Sequence, residues 1–258
     1  MSILDTASDV LRLMARRQTD LTMTDLVDQL GMPKSTASRV LKQMTETGLL
    51  ARDPVSLAYR PSMLVLELGH LVRAATPLID MCGAALETLC GRHGHTGYVS
   101  LLEGQDVVVL KVRPGSQALR AMTNPGHRSA SWATSTGRAL LARETDDAVR
   151  ERFRAGLPAL DASEHRGPAS VDALLAELAL TRTRGYALAQ NEAMSGVCSI
   201  GCSVADAASG ERLAFCLSFP AGTLEPDSIT ALGRDVRAQA AQIGRALGDP
   251  FWTTALLS

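Results

Sequence analysis

Two helical segments that lie only three residues apart constrain the fold of this chain more than any other feature. Thr24 is a typical helix N-cap residue, and it predicts a short helix over residues 25–30 that ends at Gly31. Pro33 follows, where its fixed φ suits a helix start, and a second amphipathic run covers residues 34–47. So short a connection predicts a helix-turn-helix.

The segments on either side extend this unit. Residues 3–16 repeat apolar side chains at three- and four-residue steps, which predicts an amphipathic helix. Residues 49–60 favour β structure and are interrupted by Asp53-Pro54, as in a hairpin. Helix, short helix, helix and hairpin is the order of a winged helix-turn-helix, whose second helix enters the major groove of DNA. We therefore predict a DNA-binding domain over residues 1–61.

The outer face of the second helix has the side chains that such a role requires. Hydroxyls near its start can reach phosphate oxygens or base edges. Arg39 is the candidate for a bidentate contact to a guanine edge, and Lys42 for neutralising phosphate. A solvated helix of another protein can show a similar polar stripe. The interpretation therefore rests on the turn, the hairpin and Arg60 on its return strand together.

From residue 77 onward strands alternate with helices. We predict an apolar linker helix within residues 62–76 and a larger α+β domain over residues 77–258. Helices are expected at 78–90, 134–143, 147–153, 171–184 and 226–247, and strands at 98–102, 107–112, 118–122, 197–204 and 213–219.

Bulk properties narrow the class of protein. The net charge of −1 argues against a protein that coats nucleic acid along its whole length. The sequence shows neither the pattern of a signal peptide nor an apolar run long enough for a membrane span, so we expect a cytoplasmic protein. The five cysteines are scattered and odd in number, which favours reduced, buried thiols over a disulfide framework.

Two groups of small polar residues in the second domain suggest a binding site. Ser135 and Thr136 stand at the start of a predicted helix, where hydroxyls and free amides suit a carboxylate. Cys216 and Ser218 share one face of a predicted strand. From the residues alone, ordinary helix capping and a small-residue packing face remain open alternatives.

Six stretches of the sequence resemble the isocitrate lyase regulator (IclR) family. The first two are MTDLVDQLGMPKSTASRVLKQMTETGLLARD and YRPSMLVLELG. The others follow in the family's order: WATSTGRALLA, RTRGYAL, NEAMSGVCSIGCSVAD and LAFCLSFPAG. Together they cover essentially the whole chain, and LGMPKSTASRVL is the most specific piece.

The resemblance implies a winged helix-turn-helix followed by a GAF-like α/β effector-binding domain. It also implies dimers that pair through the N-terminal region, and often tetramers through the C-terminal one. Contacts to an operator in double-stranded DNA come from the recognition helix and the wing. The wing here lacks the glycine or Asp-Gly tip common in the family. The positions that match the DNA contacts are Lys34, Ser35, Thr36, Ser38, Arg39, Lys42 and Arg60.

A second implication is a cavity that binds a small organic acid. The positions that match its lining are Ala118, Ala121, Ser129, Ser135, Thr136, Ala189, Val197, Ser199, Cys216 and Ser218. Several are small where members that bind the smallest acids have bulkier apolar groups, so an acid of more than two carbons is expected. TSTGRALLA and CSIG are nearer to members that sense aromatic acids. The expected function is ligand-responsive control of a catabolic operon, as repressor or activator.

Two other classes of protein remain as alternatives. A hydrolase-like enzyme could use Ser135 with a histidine, but no G-x-S-x-G elbow, acid–base pair, P-loop or dinucleotide fingerprint is present. An adaptor that uses the winged helix to bind protein would show no salt-sensitive DNA binding. Cys90, His93 and His95 are close in sequence, but they favour a helix-end loop over a metal site, and no cofactor is expected.

Overall fold

The computed structural model describes residues 2–17, 19–74, 77–117, 123–159 and 167–254. The chain divides into two compact units, Met1–Thr76 and Pro77–Ser258. Within the described ranges, no helix combines the length and apolar character that crossing a membrane requires.

The first unit is a winged helix-turn-helix. Its elements are α1 (Ile3–Arg17), α2 (Met23–Leu30), α3 (Lys34–Glu46), β1 (Leu50–Arg52), β2 (Tyr59–Pro61) and α4 (Met63–Ala74). Helix α2 begins earlier than the sequence suggested, because Thr22 rather than Thr24 caps it. The Thr22 hydroxyl accepts a hydrogen bond from the Asp25 amide, and the Asp25 carboxylate accepts one from the Thr22 amide.

The core of this unit is formed by the apolar faces of its helices. The buried side chains of α3 are Ala37, Val40, Leu41 and Met44, at the spacing that places them on one side of a helix. The antiparallel hairpin of β1 and β2 is extended by Leu21, whose amide and carbonyl both pair with Tyr59. This pairing joins the hairpin to the segment that starts α2.

The second unit contains one six-stranded sheet. Its helices are α5 (Pro77–His93), α6 (Ser135–Leu141), α7 (Asp146–Arg152), α8 (Val171–Arg184), α9 (Pro226–Ala246) and α10 (Pro250–Thr254). Its strands are β3 (Thr96–Glu103), β4 (Asp106–Arg113), β5 (Arg128–Ala130), β6 (Ala187–Gln190), β7 (Val197–Ala205) and β8 (Arg212–Pro220). The strand order is β5-β4-β3-β8-β7-β6, and neighbouring strands are antiparallel.

The two faces of the sheet differ in chemistry. One face belongs to the main hydrophobic core and packs against α5 and α9. Its side chains include the paired Ile200 of β7 and Leu217 of β8. On the other face, α6 packs over the alternate residues of the same strands, including the paired Ser199 and Ser218. Because successive side chains of a strand point to opposite faces, one strand serves both surfaces.

Three short elements were not predicted, besides the 3-10 turn Ser131–Ala133. Strands β5 and β6 have three and four residues, and both stand at the edges of the sheet. Helix α10 follows α9 after Asp249, which accepts hydrogen bonds from the Phe251 amide and from the Ala205 amide. The strand predicted at residues 118–122 lies outside the described residues.

Candidate functional site

The predicted recognition helix presents its polar side chains outward. Six of the seven predicted DNA-contacting residues are exposed and Thr36 is half-buried. Helix α3 begins at Lys34 and is preceded by Pro33, which has no side-chain group to cap the helix. The Pro33 carbonyl accepts a hydrogen bond from the Thr36 amide, so the amides of Lys34 and Ser35 are the ones that suit an external acceptor such as a phosphate oxygen. The Lys42 ammonium lies 3.7 Å from the Glu46 carboxylate, and both side chains are exposed. Such a contact is weak, so Lys42 can bind a phosphate instead.

The wing is the hairpin of β1 and β2, and its turn contains no glycine. The Asp53 side chain stabilises this turn instead. The Asp53 carboxylate accepts hydrogen bonds from the amides of Val55 (2.9 Å) and Ser56 (2.7 Å). These bonds hold the pKa of the Asp53 carboxyl below its usual range. Leu57 then takes a φ of 60°, a conformation that costs a non-glycine residue about 1–2 kcal/mol. Arg60, on β2, is exposed next to this turn.

A groove of about 510 Å³ lies beside α3 and contains polar residues that the sequence analysis missed. Lys42 and Ser38 of α3 line it together with the start of α2 and the hairpin. Thr22 and Thr24 come from the α2 end, and Arg52 comes from the hairpin, where it lies over the Tyr59 ring. Hydroxyls and a guanidinium in such a position suit the DNA backbone. The sequence indicated Thr24 only as a helix cap, although a hydroxyl at a helix start can also contact a phosphate.

The second unit contains a cavity of about 100 Å³ on the α6 side of the sheet. The structure brings eight predicted effector residues together around it: Ser129, Ser135, Thr136, Ala189, Val197, Ser199, Cys216 and Ser218. The other two, Ala118 and Ala121, lie outside the described residues. Thr134, which precedes Ser135 at the predicted helix start, lines the cavity as well. The lining residues that the sequence did not indicate are Tyr98, Ser100, Val107, Val109, Thr123, Ala133, Glu192, Ala193 and Met194.

The start of α6 is pressed closely against the sheet. A Cβ at Gly201 would lie 3.1 Å from the Ser135 hydroxyl, so glycine permits this approach. A Cβ at Gly137 would overlap the backbone of Ser131, in the 3-10 turn Ser131–Ala133 that precedes α6. The Thr134 hydroxyl accepts a hydrogen bond from the Gly137 amide at 3.2 Å and caps the helix. Thr134 therefore both caps the helix and lines the cavity.

Hydroxyls dominate the polar part of this cavity. The Ser135 hydroxyl is buried and makes no hydrogen bond to a described residue, although the Cys216 side chain is close by. An unsatisfied buried hydroxyl is costly and is a ready partner for a ligand. Burial raises the pKa of the Cys216 thiol to about 11, so this group is neutral at physiological pH. The surface suits a small molecule with both polar and apolar parts.

A buried arginine, Arg138, forms hydrogen bonds with three segments around the cavity. Arg138 of α6 is 1% exposed, and it donates hydrogen bonds to the carbonyls of Trp132 (2.9 Å) and Leu188 (3.0 Å) and to the Glu192 carboxylate. Burial raises the pKa of the Glu192 carboxyl, and Arg138 acts against that rise. Arg138 thus fastens the turn before α6, strand β6 and the turn after it. An arginine inside an apolar helical run was the signal that could have revealed this network.

The cysteines and histidines provide structural contacts. All five cysteines are free and buried. His93 lies 2.9 Å from the Asp235 carboxylate, whereas His95 stacks on the Phe219 ring, so the neighbouring histidines face different partners. Across the described part of the chain, no group of three or more histidine, cysteine, aspartate or glutamate side chains is arranged to hold a metal ion.

Comparison with protein families identifies both units. A model described as the IclR helix-turn-helix domain matches residues 4–54, and one described as the bacterial transcriptional regulator IclR C-terminal matches residues 70–245. The HTH-type transcriptional regulator XynR of Escherichia coli is 28% identical over 249 residues, 95% of this chain and 96% of that protein.

Solved structures share the fold. The IclR transcriptional regulator from Alicyclobacillus acidocaldarius has a TM-score of 0.79 at 20% identity, covering 94% of this chain and 97% of that one. An IclR homologue from Microbacterium hydrocarbonoxydans, complexed with 4-hydroxybenzoate, has a TM-score of 0.78 at 22% identity, covering 95% and 99%. The predicted family, the fold class and the assignment to regulators rather than enzymes are confirmed.

Proposed function

The chain belongs to the IclR family of bacterial transcriptional regulators, and from this premise we propose that it controls a catabolic operon in response to a small organic acid. The observation that carries the proposal is the cavity over the α6 face of the sheet, where buried hydroxyls and apolar groups alternate. We place its action in the cytoplasm, where the operator DNA is available.

The DNA contacts proposed for the first unit are those of α3 and the wing. Arg39 is exposed on α3 and has the planar geometry for the edge of a guanine. Lys34, Lys42 and Arg60 are exposed cations that neutralise phosphates. Ser35, Thr36 and Ser38 add hydroxyl donors near the start of the helix.

The effector proposed for the second unit is a carboxylic acid with several carbons. A cavity must have at least about 10–15 Å³ to hold one water molecule, so a cavity of about 100 Å³ has room for a ligand of several non-hydrogen atoms. The uncompensated hydroxyl of Ser135 supports a carboxylate at the start of α6. The related Microbacterium protein, which was crystallised with 4-hydroxybenzoate, supports an aromatic acid in this size range.

The partner of the first unit is proposed to be a second copy of the chain. Helix α4 exposes Met63, Leu64, Leu66, Leu68 and Leu71, an apolar surface unusual for a helix in water. A homodimer, or a homotetramer built from two dimers, would present pairs of recognition helices to operator half-sites separated by about one helical turn or a multiple of it. The acid acts by binding more tightly to one arrangement of the oligomer than to the other.

Mobility-shift titrations with DNA from the chain's own promoter test this function. The wild-type protein is expected to bind with an affinity that falls steeply with salt, and the cognate acid is expected to change that affinity. The double variant Ser135→Leu/Ser218→Leu fills the cavity, so it should bind DNA without responding to the acid. Tight acid binding to the double variant in calorimetry would refute the cavity assignment, and salt-insensitive or absent DNA binding would favour an adaptor.

A further inference from the structure

Glu192 has a place in the cavity that the expected acid does not explain. Among the described lining residues it is the only one with a charged side chain. It belongs to the turn between β6 and β7, which also contributes Ala193 and Met194 to the cavity. A carboxylate beside an anionic ligand is repulsive unless a different part of the ligand faces it.

The Glu192 carboxylate is held in position by the protein itself. Arg138 binds one carboxylate oxygen, and the Gln190 amide donates to the other at 3.2 Å. Arg138 is in turn held by the carbonyls of Trp132 and Leu188, so the guanidinium cannot follow a moving carboxylate without losing these bonds. Glu192 therefore lines the cavity in a preorganised position.

The charge of this pair decides which ligand group suits it. Arg138 already balances the charge of Glu192, so a ligand ammonium facing Glu192 would bring a buried charge without a counter-ion of its own. A neutral hydroxyl can donate to the carboxylate without adding charge. A methyl group in the same place cannot donate a hydrogen bond to the carboxylate, and sites built to bind a hydroxyl discriminate against such analogues.

We propose that Glu192 is a specificity-determining residue that makes the cavity select hydroxy acids over acids of the same shape without the hydroxyl. This inference rests on the proposed function, because it assumes that an organic acid occupies the cavity. The ligand would use its carboxylate at the hydroxyl-rich wall and its own hydroxyl at Glu192.

Calorimetry on the full chain with pairs of acids that differ by one hydroxyl tests the proposal. The pairs are 4-hydroxybenzoate and 4-methylbenzoate, 3-hydroxybenzoate and 3-methylbenzoate, and lactate and isobutyrate. The wild-type protein should bind the hydroxylated member of at least one pair tenfold or more tightly than its partner. Equal affinities in every pair that binds would overturn the proposal.

Variants separate recognition of the hydroxyl from simple support of the fold. Arg138→Met/Glu192→Met removes both charges together, so that neither is left buried alone, and should reduce the tenfold preference to threefold or less. Glu177→Gln is the matched control, because Glu177 lies 3.8 Å from Arg138 but does not line the cavity, and it should keep the wild-type ratio. A structural role alone would weaken both members of a pair equally.

Two negative results have different meanings. If the wild-type chain binds acids without preference, or the double methionine variant keeps the preference, the role of Glu192 is refuted and the proposed function stands. If no acid of any pair binds at millimolar concentration, the acid-binding function fails, and the inference fails with it. Because the first measurement uses only wild-type protein, poor folding of a variant does not remove the test.

Discussion

The Arg143 guanidinium donates two parallel hydrogen bonds to the Asp249 carboxylate, from Nη1 to Oδ1 at 2.8 Å and from Nη2 to Oδ2 at 2.9 Å. Both side chains are buried. Arg143 also donates to the Ser203 hydroxyl of β7 at 2.8 Å. The pair thus fastens the turn between α9 and α10 to the end of α6 and to the sheet.

Replacing Asp249 by alanine should strongly destabilise the second unit. The change leaves the Arg143 charge buried without its partner, which costs about 3–5 kcal/mol in the free energy of unfolding. Both tryptophans of the chain, Trp132 and Trp252, belong to this unit, so urea unfolding followed by tryptophan fluorescence reports on it. Glu151→Ala, which breaks the exposed contact with Arg154, is the control and should change stability by less than about 1 kcal/mol.

Gly137→Ala should disrupt the start of α6. The added methyl would overlap the Ser131 backbone, which cannot give way as a flexible side chain could. We expect a loss of at least about 2 kcal/mol in stability, together with loss of acid binding. Gly91→Ala is the matched control, because a Cβ there meets no atom within 4 Å, and it should leave the protein equally or slightly more stable. Equal thermal midpoints for the two variants would contradict this prediction.

Arg39→Ala should weaken specific binding to promoter DNA by about 1–3 kcal/mol and relax the preference at one base pair. Lys42→Ala should instead weaken binding to all sequences and lower the salt dependence by about one phosphate contact. Both are measured by mobility-shift titration at several salt concentrations. Arg150→Ala, an exposed change in the second unit, is the control. Unchanged affinity after the Arg39 substitution would remove α3 from the interface.

Alkaline pH should destabilise the second unit, because its buried cysteines resist ionisation in the folded state. Burial raises the pKa of Cys82 to about 12 and of Cys90 to about 11, from an ordinary value of 9.0. A raised pKa in the folded state stabilises the fold below pH 9, and this contribution is lost as pH rises from 9 toward 11 or 12. The urea midpoint should fall over that range, and less so in Cys82→Ala. Native thiols that react with a thiol reagent at pH 8 as fast as unfolded ones would contradict the burial.

The helices with strong periodicity were predictable because local sequence decides them. The apolar positions of α3 predicted its buried face, and the end of α1 was predicted to within one residue. Strands β5 and β6 were missed because they are short, have few β-branched residues and depend on pairing with β4 and β7. Such pairing is a tertiary property that periodicity does not contain.

The cavity was predictable only in part. Alternation along β8 placed Cys216 and Ser218 on one face, and the family resemblance supplied most of the rest. Glu192 was missed because an isolated glutamate in a turn looks solvated, and its partner Arg138 is 54 residues away. Only the fold shows that these two charges meet in the interior.

The division of the sheet into two chemically distinct faces has a consequence for how such a protein can diverge. Neighbouring residues of β7 and β8 belong alternately to the stabilising core and to the chamber under α6. Mutations at every second position can therefore alter the preferred small molecule while the intervening positions preserve thermal stability. In this architecture the residues that line the cavity can change one side chain at a time while the hydrophobic core stays intact.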